Sequence, residues 1–271
     1  MKIEQNRLLL VPNSVTSRNK MVKSDRMDAI LRAIRTDLRL SMNGAVAASM
    51  RQMGVNYRMN FGVDIARIKE ISAKYEPGKE LAEVLWNEEA RELKILATML
   101  CPPDEMTREA AHRWAGVITN QELREQACKN LFQVVPFADE LVEQWSVHPG
   151  EAVRATGYWL LARLCITRAE ALDRVESREV LQHAVEDLKS DSLLLYQSAL
   201  NALRFFGRTS EERAAWVMRE VSPFNLSGNS REREMYEQLR YEFDLVCAVI
   251  ERCPAGRRVY VIGDAVPADA G

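Results

Sequence analysis

Glycine and proline are scarce in this 271-residue chain, at 12 and 9 positions. That excludes collagen-like, mucin-like and low-complexity architectures and argues against a turn-rich β fold. No stretch approaches the 18 apolar residues needed to span a bilayer, so no membrane partner is expected. The early run Leu8–Val11 is too short for a signal segment, and the expected location is cytoplasmic. A net charge of −2 with 47% hydrophobic residues is incompatible with a disordered chain.

Reactive residues are sparse as well. The five cysteines are odd in number and contain no CxxC, which favours reduced, buried thiols over disulfides or zinc. His112, His148 and His183 are the only histidines, and none stands in a ligand or triad pattern. GxGxxG, HExxH, GxSxG and the phosphate-binding P-loop are all absent. Neither a metal nor a cofactor is expected, and any chemistry must rest on carboxylates, arginines and aromatic surfaces.

What the chain does contain is helical periodicity. Met27, Ile30, Leu31, Ile34 and Leu38 recur at helical spacing, and the pattern continues to about residue 252 with short breaks. The breaks are turn formers, such as Pro77-Gly78, Pro102-Pro103-Asp104 and Pro149-Gly150. Helices are expected over 25–38, 42–53, 64–75, 78–86, 88–100, 105–118, 120–134, 137–146, 151–166, 177–189, 192–206, 209–221 and 230–252. Residues 1–24 read as a tail or upstream extension, and 253–271 as a C-terminal tail with one strand-like run at Val259–Ile262.

Four leucine-rich segments ending near Leu100, Val134, Leu164 and Phe205 lie 34, 30 and 41 residues apart. That spacing suits a two-helix unit that buries its apolar face only by stacking on neighbours. The expected fold is all-α: one α-solenoid of HEAT-like helical pairs over 25–252, an α-α superhelix whose concave face could take a polymer or protein partner. A compact helical bundle is the alternative. Residues 1–79 hold 15 Lys and Arg against 7 Asp and Glu, while the rest holds 22 against 32. Arg32, Arg35, Arg39, Arg51, Arg58 and Arg67 would form a phosphate track if they shared a face.

Residues 57–100 carry a more specific signal. Tyr57–Ile71, with its Phe61-Gly62-Val63, resembles the opening segment of the AlkD-like bacterial DNA alkylation repair family. Leu81-Ala82-Glu83-Val84-Leu85-Trp86-Asn87, then Arg91-Glu92 and Leu96-Ala97, is similar to that family's next block. The likeness continues through Ile118–Phe132 and Glu151–Leu164 and covers about residues 25–220. It implies a HEAT-like fold whose concave basic face cradles duplex DNA. It also implies, where members are enzymes, a DNA glycosylase hydrolysing the N-glycosidic bond of cationic N3- or N7-alkylpurines. Such a purine leaves as a neutral base, so the protein must chiefly stabilise an oxocarbenium sugar, which a carboxylate and aromatic faces can do.

Carried over residue by residue, the resemblance puts Glu125 at the catalytic carboxylate and Arg154 at the phosphate-holding arginine. Gln121 and Ala202 stand where the family has tryptophans, which predicts weak or no release of 7-methylguanine. Helical spacing places Gln121, Glu125 and Lys129 on one stripe, opposite an apolar stripe of Leu123, Ala127, Leu131 and Val134. The expected DNA-binding set is Arg154, Gln121, Lys129 and Tyr158. Trp86, Trp145 and Trp159 are expected in the core. A helical module that has lost the chemistry and binds protein or nucleic acid is the second functional reading.

Overall fold

Apolar side chains three and four residues apart dictate helices, and helices are what form. The structure is a computed structural model that describes residues 14–55 and 57–252, with side chains over 25–244. Among the described residues there is no strand, and the one extended pairing is an isolated bridge between Met59 and Ala90. The run Val259–Ile262 lies outside the described residues. No described helix is long and apolar enough to cross a membrane.

The first helix, α1 (Ser14–Leu40), runs straight through Ser24-Asp25, so it begins ahead of the expected start at residue 25. The chain divides between Cys101 and Pro102 into two compact units. The break falls where Pro102 and Pro103 supply no backbone N–H to continue α5 (Arg91–Leu100).

In the first unit, α1 buries Leu31, Ile34 and Leu38. Asn43 and Asp64 cap α2 (Gly44–Gln52) and α3 (Ile65–Ser72), accepting from the Val46 and Arg67 amides at 3.2 and 2.7 Å. α4 (Lys79–Trp86) and α3 both pack on α5. Between α2 and α3, the Phe61–Val63 segment is irregular and is held by a buried acid. Glu92 accepts from the Phe61 and Val63 amides at 3.1 and 3.2 Å and from Arg91 at 3.0 Å. Arg91 in turn donates to the Val63 carbonyl at 2.7 Å. Gly62 adopts φ +71, and a Cβ there would meet the Asn43 carbonyl oxygen at 2.1 Å, so only glycine fits.

In the second unit, after α6 (Arg108–Gly116), helices alternate between two rows. α7 (Gln121–Asn130), α9 (Glu151–Thr167) and α12 (Leu193–Gly207) neighbour one another in sequence order. Behind them, α8 (Ala138–Ser146) packs on α9 and α11 (Ser177–Asp187) packs on α12. A short α10 (Ala171–Arg174), absent from the sequence expectation, joins α9 to α11, and α13 (Glu211–Glu220) and α14 (Ser230–Arg252) complete the unit. α9 is covered from several sides and buries residues all round, from Val153 to Cys165. Gly157 lets α8 come close: a Cβ there would meet the Ser146 amide nitrogen at 2.7 Å.

Trp86 and Trp145 are core, as expected, at 3% and 0% exposure. α7 ends at Asn130, earlier than the expected 134. A 3-10 turn over Phe132–Val134 shifts the phase, so Phe132 is buried and Val134 is exposed.

Candidate functional site

The row α7–α9–α12 presents an open cleft of about 380 Å³. Gln121 and Glu125 line it from α7, Trp159 from α9, and Gln197, Ser198, Asn201 and Arg204 from α12. Gln121 and Glu125 share its wall because they are one helical turn apart.

The local network starts from a buried cation on α7. Arg124 is 1% exposed, and burial pulls its guanidinium below the usual arginine range. It donates to the Thr156 hydroxyl at 3.2 Å and to the Gln121 side-chain oxygen at 2.9 Å. The Gln121 amide then donates to Glu125 Oε1 at 3.0 Å. Gln121 is thus a bridge between a buried guanidinium and a half-buried carboxylate, and it fixes the rotamer of Glu125. Glu125 Oε2 has no partner among the described residues.

Trp159 is half-buried and faces the cleft, which corrects its expected core role. The reason is angular. Tyr158 and Trp159 point about 100° apart on α9, so enclosing Tyr158 turns Trp159 toward the cleft. Tyr158 is the one enclosed. At 0% exposure it donates its hydroxyl to Asp187 at 2.7 Å and has no surface for DNA. Arg154, one turn before Tyr158, forms an ion pair with the same Asp187 oxygen at 3.1 Å. Arg154 and Glu125 therefore make no contact: one is held at α11, and the other lines the cleft.

Lys129 is exposed, does not line the cleft and forms no ion pair with Glu125 among the described residues. Ala202 is fully buried. The helical pattern of α12 carries a further signal, since Gln197, Asn201, Arg204 and Arg208 recur at four-, three- and four-residue steps. Arg204 bonds Glu242 of α14 at 2.7 Å, and Arg208 shares that carboxylate. Two guanidinia on one acid leave a local excess of positive charge.

Elsewhere the reactive groups are spent. Burial pushes the Cys128 and Cys165 thiols up to about 12, so neither is a thiolate nucleophile at neutral pH. His112 accepts from the Trp145 indole N–H at 2.6 Å. No group of three or more His, Cys, Asp or Glu suited to a metal occurs among the described residues. Of the six basic-track arginines, Arg35, Arg58 and Arg67 are paired with Glu88, Glu89 and Glu70. Arg32, Arg39 and Arg51 are exposed without an ion pair among the described residues.

The model of the DNA alkylation repair enzyme family matches residues 34–225. This chain belongs to that family. A solved structure described as a new family of proteins related to the HEAT-like repeat DNA glycosylases, with affinity for branched DNA structures, is similar in fold. Its TM-score is 0.63 at 15% identity, over 79% of this chain and 94% of that one. A designed armadillo repeat protein matches at TM-score 0.35 and 11% identity, over 66% of this chain and 92% of that one. No curated protein matches. The fold of this family member is an all-α, HEAT-like arrangement of helical pairs.

Proposed function

We propose that this DNA alkylation repair family member binds DNA along the polar edge of α7, α9 and α12 and presents Glu125 and Trp159 to the sugar of an alkylated purine. The observation that carries the reading is the shared cleft: a carboxylate with one uncommitted oxygen, an indole face and an arginine cluster line or border a single opening. A carboxylate beside a developing oxocarbenium ion lowers its energy, and an aromatic face adds to that stabilisation. The phosphate term comes from Arg204 and Arg208, because Arg154 is neutralised one-to-one by Asp187. Family membership, and the affinity for branched DNA of the structurally similar protein, both support DNA as the ligand.

A second reading, a binding module without base excision, is favoured by two features. Gln121 and the buried Ala202 occupy the family's aromatic positions, and the family's arginine is tied up in an ion pair. Release of 7-methylguanine from alkylated duplex separates the two readings. Slow release above the spontaneous rate, abolished in Glu125→Gln, is the result expected of an enzyme. Salt-dependent duplex binding with no release would establish a DNA-binding module, and absence of any DNA binding would sink the first reading and leave a module for protein or another nucleic acid.

A further inference from the structure

On α12, Phe206 lies nine residues after Gln197 and so points about 180° away from it, to the side opposite the cleft. There it floors a second groove, of about 580 Å³, between α11 and α13. Leu181 of α11 and the half-buried Trp216 of α13 make the apolar centre of this groove. Trp216 meets Phe206 edge-on, with ring centres 6.4 Å apart. Arginines surround that centre. Arg178 is exposed without an ion pair among the described residues, and the Arg213 guanidinium lies 4.9 Å from the Phe206 ring centre. Arg219 bonds Glu220 at 3.3 Å, and Glu212 is the other acid in the lining.

The other flank of α11 is acidic. Glu176, Glu179 and Glu186 border a depression of about 480 Å³ and recur on one stripe at three- and seven-residue steps. Glu179 is exposed without an ion pair among the described residues. The two depressions share Arg178 and Gln182, so α11 is a ridge with an aromatic, arginine-rich groove on one side and an acidic flank on the other. Such a surface is complementary to a copy of itself, because a twofold axis lays each ridge in the other's groove. We infer that α11 and α13 form the interface of a symmetric homodimer, each α11 lying in the α11–α13 groove of the other copy. The helices then alternate as α13, the partner's α11, α11 and the partner's α13. That order turns Glu179 and Glu186 toward the partner's Arg213 and the partner's Arg219 and closes Trp216 off from water in both copies. An aromatic anchor ringed by charged groups concentrates binding energy in protein interfaces. Acid against arginine fixes the register, whereas acidic flank against acidic flank is repulsive. The pairing leaves the cleft open in both copies and goes beyond the DNA-binding reading without resting on it.

Sedimentation velocity on the full chain tests the interface. The mass should rise from one chain toward two between about 1 and 100 µM, the range of small interfaces. Glu179→Arg and Arg219→Glu, both at exposed positions, should each weaken association about ten-fold. The double variant should recover most of that loss, because the charges change places across the twofold axis. Trp216→Ala should weaken association further, by about thirty-fold, the scale of an interface anchor. Should Trp216→Ala unfold, the exposed charge variants decide alone.

A single-chain mass at every concentration would overturn the dimer while leaving the DNA-binding reading intact. A dimer indifferent to all the variants would overturn this interface and place the contact elsewhere. Losses in both single charge variants without recovery in the double would overturn the acid-to-arginine register.

Discussion

Arg91 and Arg124 are each 1% exposed, one in each unit, yet they bury their charge in opposite ways. Arg91 lies against Glu92, itself 0% exposed, and the pair pins the Phe61–Val63 segment through backbone amides and a carbonyl. Arg124 meets only neutral oxygens directly, and its nearest acid, Glu125, is held one carboxamide away. The difference separates a structural acid from an available one. Glu92 spends its carboxylate on holding the chain together, whereas Glu125 keeps an oxygen free at a cleft. A buried charge pair is costly to break, while a cation satisfied by neutral groups can be replaced at less cost.

Glu92→Ala breaks the comparison hardest, because it strands a buried guanidinium and two amides. It should cost about 3–5 kcal/mol, read as a lower midpoint in urea unfolding. A loss under about 1 kcal/mol would mean that water replaces the latch. Arg124→Met should cost less, about 1–3 kcal/mol, set by the unbonded Gln121 and Thr156 oxygens rather than by a stranded acid. If the two variants were equally destabilised, the contrast between the units would be false.

In binding, Arg204→Ala should lower the slope of log affinity against log salt by about one, while Arg154→Ala leaves it unchanged. The opposite outcome would return the phosphate contact to Arg154.

The smallest effect concerns acid. Burial pushes the Asp37 carboxyl up, but bonds from Tyr75 and Lys74 outweigh it and hold the group below the usual carboxylate range. Its stabilisation is complete above the unfolded value of about 4 and is lost as pH falls through the lower folded value. Asp37→Asn should therefore cost under about 1 kcal/mol at pH 7 and flatten the stability profile below about pH 4. A profile unchanged from wild type would show that the acid has no paired role.

The helices were largely legible because each needs only a local period. Asn43 and Asp64 show the same for caps, where one side chain and a nearby amide decide the matter. α7 shows the limit. Its start at Gln121 follows Asn120, which accepts from the Leu123 amide, but its end depends on how Phe132 finds the core. Of the candidate residues, Gln121 and Glu125 share one stripe by helical spacing and line one cleft, whereas the apolar pattern around Trp159 predicts core and the structure encloses Tyr158 instead. Neighbouring residues on one helix exchange those roles with a rotation of about 100°, and only the packing partners fix the rotation.

By itself, the sequence determined that the chain is helical, roughly where its helices fall, and which family pattern it follows, since period, capping and turn chemistry act over a few residues. Tertiary structure alone decided that Arg124 is buried, that Arg154 belongs to Asp187, and that Gln197, Asn201 and Trp159 face a common opening. Those outcomes join positions some 30 to 80 residues apart through the stacking of helices, and no local rule encodes which side of a helix its neighbour will cover.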